Sequence, residues 1–379
     1  MNAPDTSPRH ALRDAHTVVV KIGTAVLTGG NSSIDDAYLR ELAAAIVAVR
    51  RAGRRVLIVS SGAIGVGNGV LGRRAGCADV SQLQAAAAVG QPILMTLWRE
   101  AFAAHNIPVA QMLLTRADFD SRERYLNIRN CAAALEEWGK SSVVTIVNEN
   151  DTVATEEISV GDNDILAANM AVAIRAEALV ILTTVDGVER AGGEIITEAV
   201  NIAELRAHVR EDRSGQGRGG MATKLEAARL ASEAGIPTVI GPGRPASVVE
   251  DILAGEPIGT LLAGDDRGHR GKKRWIALAA TPSGTIRVDD GAVSVLRTKK
   301  ASLLAKGVTG CEGRFEIGDV VSVCDPGGRE IARGLSNLTT EELKAVMGRA
   351  SSEFEAILGR RAHEEVIHRD NLALSERNG

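Results

Sequence analysis

The chain has 379 residues, a formal net charge of −4, and 45% hydrophobic but only 2% aromatic residues. That length allows one large domain plus a small one, or two of similar size, with a core of Ala, Val, Ile and Leu as in parallel α/β proteins. The acidic balance argues against a general polyanion binder and leaves room for a local basic patch. Cys77, Cys131, Cys311 and Cys324 lie far apart with no C-x-x-C pair, so they read as reduced thiols rather than a zinc site or disulfide framework. The polar start MNAPDTSPRHALRDAH has no apolar stretch of signal-peptide length. No run approaches the ~18 apolar residues of a membrane span, so a cytoplasmic protein with no membrane partner is expected.

Thr17-Val18-Val19-Val20 reads as a first buried strand that ends at Lys21-Ile22-Gly23-Thr24. Asp35 is placed to cap a helix over 37–51, which Gly53 stops. Val56-Leu57-Ile58-Val59 is a second strand running into Ser60-Ser61-Gly62-Ala63-Ile64-Gly65. An Ala-rich helical region over 81–104 follows, with interruptions expected at Gly90 and Pro92. Residues 107–114 form a third strand, 121–138 a helix, and Val143-Val144-Thr145-Ile146-Val147 a fourth strand, apolar on both faces. Past a helix opened by Asp162 come a fifth strand, Leu179-Val180-Ile181-Leu182, and Glu194-Ile195-Ile196 as one arm of a hairpin. The loop 214–220 leads into a helix over 221–234, and Thr238-Val239-Ile240 is a further strand. This alternation predicts an α/β domain over 14–262, a parallel-rich sheet sandwiched by helices. The stretch GDDRGHRGKKR suits a linker, placed at 263–274. Short strands are then expected at 275–280, 284–288, 307–310, 320–324 and 330–334, making a small β-rich domain over 275–361. Residues 353–370 read as helical before fraying, with 362–379 a solvated tail. His363 and His368 mimic a zinc-protease helix, but at five residues apart they diverge by about 140°.

Two clusters of acids and amides follow the fourth strand: Asn148-Glu149-Asn150-Asp151 and Gly161-Asp162-Asn163-Asp164. Ligands of open α/β sheets bind beyond the carboxyl ends of the strands, so these clusters suit an ammonium-bearing substrate, a metal ion, or both. Helix capping is the plainer alternative for either cluster alone. Gly219-Gly220-Met221-Ala222-Thr223-Lys224 is a phosphate candidate, because backbone N–H groups and a helix start come together with a lysine. The alternative is a surface loop with a solvated lysine, and the spacing is not that of a Walker loop. Lys21 ends an apolar strand, where a lysine either finds an anion or snorkels outward. Both lysines lie at strand-end or helix-start positions, so they can converge on one phosphate. Ser61, Gly62 and Ala63 can seat a carboxylate or phosphate on backbone N–H groups. Gly67, Gly69 and Gly72 match G-x-G-x-x-G, but they do not directly follow the strand and are set aside as a dinucleotide fingerprint.

Six motifs together resemble a known family. Val18-Val19-Val20-Lys21-Ile22-Gly23-Thr24, Ser60-Ser61-Gly62-Ala63-Ile64, Gln111-Met112-Leu113-Leu114-Thr115 and the two acid–amide clusters, followed by Gly219 to Lys224, stand in the order seen in the glutamate 5-kinases of the amino acid kinase family. The β-rich C-terminal part looks like the PUA domain that many bacterial members carry, a resemblance that implies a small PUA-like barrel. The resemblance implies the amino acid kinase fold and ATP-dependent phosphorylation of the γ-carboxylate of L-glutamate, with Mg²⁺ held mainly by the ATP phosphates. It implies that Lys21 and Lys224 hold the phosphates and that Asp162 and Asp164 organise the lysines or magnesium. Ser61, Gly62, Ala63, Asn148, Asp151 and Asn163 would bind glutamate. Gly23, Thr183, Thr184, Gly219, Gly220 and Met221 would join the lysines at ATP. Coupling to glutamyl phosphate reductase, proline as feedback inhibitor, and a homo-oligomer (dimer or tetramer) are implied as well. The sequence departs from the family pattern at Ala25, commonly Ser, at Thr184, often Asp, and at Arg218, often Thr. Two rival readings are RNA binding through the C-terminal domain, tinted basic by Lys272, Lys273, Arg274, Lys299, Lys300 and Lys306, and a related kinase acting on acetylglutamate, aspartate or carbamate. The acidic net charge leaves RNA an accessory role, and the central acids favour a free α-amino group, which acetylglutamate lacks.

Overall fold

The structure, a computed structural model, describes residues 8–30, 33–72, 79–138, 143–154, 162–190, 192–206, 220–264, 276, 281–299, 301–360 and 364–375. The chain forms two units, one of Met1–Asp118 with Leu126–Gly268 and one of Phe119–Tyr125 with His269–Gly379. The sequence carries no sign that 119–125 belong with the C-terminal unit.

Although the edge strand Val109–Leu114 buries only two of its six residues, the strands of the first unit include β-branched runs buried along nearly their whole length, as a sheet covered on both faces requires. They are β1 (Thr17–Ile22), β2 (Arg55–Ser60), β3 (Val109–Leu114), β4 (Val144–Glu149), β5 (Ala178–Thr183), β6 (Glu198–Ala199), β7 (Thr238–Pro242) and β8 (Thr260–Leu262). Their order across the sheet is β3-β4-β2-β1-β5-β7-β8-β6. All pairings are parallel except β7 with β8. The carboxyl ends of β1, β2, β4 and β5 therefore share one edge of the sheet, where Lys21 pairs in register with Val59 of β2 and Ile181 of β5.

The helices obey local rules. Asp35 caps the helix Asp36–Arg51 by accepting from the Tyr38 N–H at 3.1 Å, and Gly53 at φ 89° turns the chain away from it. The interruptions expected at Gly90 and Pro92 do not occur, and one helix runs Val80–Ala103. Pro92 and Ala88, whose carbonyl loses its N–H partner, both lie exposed, so the missing bond is left to solvent. Gly90 and Gly67 are the contact points between this helix and Ala63–Val70. A Cβ on Gly90 would stand 1.8 Å from the Ala63 carbonyl oxygen, and one on Gly67 1.8 Å from that of Ala86. Gly67 thus serves helix packing, which accounts for the glycine pattern without a dinucleotide. Of the expected hairpin, Ile195 meets Glu189 in an antiparallel bridge.

The second unit has its own core, centred on Phe315, Val321, Ile331 and Leu343. Its sheet runs β10-β9-β11-β12-β13, where β9 is Gly284–Val288, β10 Val308–Gly313, β11 Val320–Cys324, β12 Glu330–Leu335 and β13 Leu372–Leu374. The strand expected at 275–280 and the linker beyond Gly264 lie outside the described residues, apart from Ile276, which is buried. Two helices went unread, Asp290–Lys299 and Thr340–Val346, the second closed by a Thr339–Glu342 capping box. The tail reading is corrected. His363 lies outside the described residues, but Val366 and Ile367 are fully buried, Leu303 and Ile367 bridge, and β13 extends the sheet beside β12. The long helix expected over 353–370 shrinks to Phe354–Leu358, ended by Gly359 at φ 67°.

Candidate active site

Lys21 and Lys224 meet on one carboxylate. Lys21 stands at the end of β1, and its Nζ lies 2.5 Å from Asp164 Oδ1. Lys224 occupies the first turn of the helix Met221–Glu233, and its Nζ lies 3.2 Å from Asp164 Oδ2. Thr223 Oγ1 donates to the same oxygen at 3.1 Å. Asp164, in the first turn of the helix Asp162–Ile174, is fully buried, and both lysines are under a tenth exposed. Burial disfavours the Asp164 charge, but the two ammonium groups outweigh it and hold the carboxyl below the usual carboxylate range. Burial pulls Lys21 below the usual lysine range, with Asp164 opposing and Lys224 adding to the shift. Two cations share the Asp164 carboxylate here, which fixes positive charge at the edge of the sheet where an incoming phosphate would be attracted.

An amide network adjoins this cluster. Asn163, the residue before Asp164, donates from Nδ2 to Ser61 Oγ at 3.1 Å and to Asn148 Oδ1 at 3.1 Å. The Glu149 N–H donates to Asn163 Oδ1 at 3.2 Å, tying the end of β4 to the helix start. Ser61 N–H donates to Ile22 O at 3.2 Å, which sets Ser61 beside the strand that carries Lys21. Gly62 at φ 113° makes the turn into the helix that Ala63 begins, a conformation that favours glycine. Asp151 is half-buried just beyond β4.

On the nucleotide side, Gly23 N–H donates to Leu182 O at 3.3 Å, so the turn after β1 is fastened to β5. Thr183 ends β5 and accepts from the Gly243 N–H at 2.8 Å, and Thr184 is exposed next to it. Gly220 caps the Met221–Glu233 helix, and Met221 is half-buried at its start. Gly161, Arg218, Gly219 and the Asp162 side chain lie outside the described residues.

Two contributors escaped sequence reasoning. Thr223 was read only as part of a glycine motif, although its hydroxyl shares Asp164. Gln91 accepts from Asn148 Nδ2 at 2.7 Å, while its own Nε2 is buried with no hydrogen-bond partner among the described residues. A lone polar residue in an otherwise apolar helical stretch was the available signal. Both Asp164 oxygens face lysines, and among the described residues no group of three candidate metal ligands occurs.

A buried pair of cations at the carboxyl edge of a parallel sheet suits phosphoryl transfer, which rests on positioning and fixed positive charge. The chain belongs to the amino acid kinase family, which residues 16–242 match, and residues 284–358 match the PUA domain. It is 42% identical over 368 residues to a glutamate 5-kinase of Thermus thermophilus, covering 96% of this chain and 98% of that one. A glutamate 5-kinase of Gloeobacter violaceus is 46% identical over 365 residues, covering 94% and 98%. A third, from Escherichia fergusonii, is 40% identical over 368 residues, covering 95% and 99%. Among the described residues no helix is long and apolar enough to cross a membrane.

Proposed function

We propose that this chain transfers the γ-phosphoryl group of ATP to the γ-carboxylate of L-glutamate, giving L-glutamyl 5-phosphate and ADP, the first step of proline biosynthesis. The observation that carries the chemistry is the Lys21–Asp164–Lys224 cluster. The likeness to glutamate 5-kinases over nearly the whole chain carries the acceptor. A carboxylate is already ionised near neutral pH and needs no general base. The obstacle is repulsion between two anions, which positioning and fixed positive charge overcome.

Lys21 and Lys224 hold the phosphates, and Asp164 keeps both ammonium groups aimed into the site. Gly23, Thr183, Thr184, Gly219, Gly220 and Met221 flank the nucleotide. Asp151 takes the glutamate ammonium group, while Asn163, Asn148 and Ser61 with the Gly62–Ala63 backbone fix its carboxylates. Mg²⁺ accompanies ATP on its phosphates and lowers their charge. Proline as inhibitor, delivery of the labile product to glutamyl phosphate reductase, a homo-oligomer and a cytoplasmic site belong to the same proposal.

An acceptor panel tests it. ADP release would be followed with glutamate, acetylglutamate, aspartate and carbamate, and hydroxylamine would trap any acyl phosphate. Glutamate should give the highest kcat/KM and a trapped hydroxamate. A preference for acetylglutamate would reject the role of Asp151.

A further inference from the structure

We propose that an arginine-ringed cavity at the amino-terminal edge of the eight-stranded sheet binds a small organic phosphate, apart from the substrates. The cavity measures ≈ 590 Å³ and takes in the start of β2, the start of β4 and the end of the helix Asp162–Ile174. Its volume falls within the roughly 300–1,000 Å³ of small-molecule sites. Five arginines line it, Arg50, Arg54, Arg55, Arg129 and Arg175, against the single carboxylate of Glu136.

These arginines divide by what they do. Arg54 donates to the carbonyls of Leu12, Arg13 and Leu253 at 3.2, 2.8 and 3.0 Å, and Arg50 to that of Val143 at 2.7 Å. Both are fastened to the backbone and build the wall. Arg55 reaches Glu136 at 3.0 Å from a largely exposed position. The guanidinium groups of Arg129 and Arg175 pair with no described residue. A concave cluster of like charges repels itself unless an anion enters. The planar guanidinium fork matches phosphate oxygens two at a time. Val56, Leu57 and Ile174 add an apolar floor that a bare inorganic ion would leave uncovered. An organic phosphate suits both parts, with its body on the floor and its phosphate on Arg129, Arg175 and Arg55.

The placement keeps this ligand out of the reaction site. β2 begins at the cavity and ends at Ser60, a span of ~17 Å for six residues. The helix Asp162–Ile174 carries Asp164 in its first turn and Ile174 at the cavity, ~15 Å along its axis.

Calorimetry on the full chain tests the inference and does not depend on which acceptor the enzyme phosphorylates. The reaction site is first saturated with AMP-PNP and Mg²⁺, and then AMP, glycerol 3-phosphate or inorganic phosphate is titrated. At least one of the two organic phosphates should bind tenfold or more tightly than inorganic phosphate, and which one does tells a nucleoside phosphate from a simple ester. The double variant Arg129→Gln, Arg175→Gln should lose tenfold or more of that affinity while keeping the wild-type Tm and kcat. The inference fails if AMP-PNP displaces the probe, if inorganic phosphate binds equally well, if the double variant binds like wild type, or if none of the three binds.

Discussion

Asp164→Asn keeps the shape of the residue that Lys21 and Lys224 share and removes its charge from beside two buried ammonium groups. Breaking such a pair costs about 3–5 kcal/mol, so urea unfolding at pH 7 should show a loss of that order. The folded-state pKa of Asp164 is depressed. Its contribution is therefore complete above the unfolded carboxylate value of about 3.9 and disappears as pH falls through the lower folded value. The stability gap between variant and wild type should shrink below about pH 4, and a gap unchanged down to acid unfolding would reject this electrostatic account. Lys224→Ala removes a fixed charge from the transferred group and should lower kcat by roughly 10²-fold, since preorganised charge acts mainly on the transition state. Wild-type turnover would remove Lys224 from the chemistry. Asp151→Asn acts on the other substrate. Hydrogen bonds to charged groups are worth about 1.5–3 kcal/mol, so KM for glutamate should rise roughly tenfold to a hundredfold with KM for ATP unmoved. The reverse pattern would assign Asp151 to the nucleotide.

At the scale of elements, the crossing of Ala63–Val70 with Val80–Ala103 ties packing to the site. Gly90→Ala would drive a methyl group into the Ala63 carbonyl and the Gly67 N–H, 1.8 and 2.6 Å from the built Cβ. Overpacking costs typically about 1–3 kcal/mol, and here the obstacle is backbone, which yields poorly. The urea midpoint should fall and KM for glutamate should rise, because the displaced backbone begins the Gly62–Ala63 turn. Gly192→Ala, with nothing within 4 Å of its Cβ, is the control and should match wild type. Elements were legible wherever a run of apolar residues was long enough to carry a period. β1, β2, β4 and β5 were read within a residue or two, whereas β6 and β8, with two and three residues, have too little sequence to show one. Pro92 misled because local propensity says stop, while the tertiary contact at Gly90 continues the helix. β13 was missed because its three residues gain burial only by pairing with β12.

At the scale of the molecule, the two cores share no residue, one spanning Leu12 to Leu261 and the other Ile286 to Leu372. A chain ending near Ala263 should therefore stay soluble and phosphorylate glutamate, which gel filtration followed by the acceptor assay would check. An insoluble or inactive product would make the PUA unit part of the catalytic fold. The assignment of Phe119–Tyr125 to the second unit marks the segment where such a truncation would fail first. The composite site was legible only in part. Sequence placed Lys21, Lys224 and the acid–amide clusters at strand and helix ends, where ligands gather. It could not show that both lysines share Asp164, because whether a carboxylate in that first turn points inward depends on helix phase set by the packed sheet.

The position of β1 has a consequence for how the protein is made. This strand is synthesised first yet lies inside the sheet, with β2 on one side and β5 on the other. Val18 pairs with Ala178, about 160 residues later. At translation rates of about 5–20 residues per second, that edge of the nascent sheet waits roughly 8–32 s for its partner. Through that interval the ribosome carries a bare, largely apolar strand edge, the kind of surface on which chains aggregate or chaperones act.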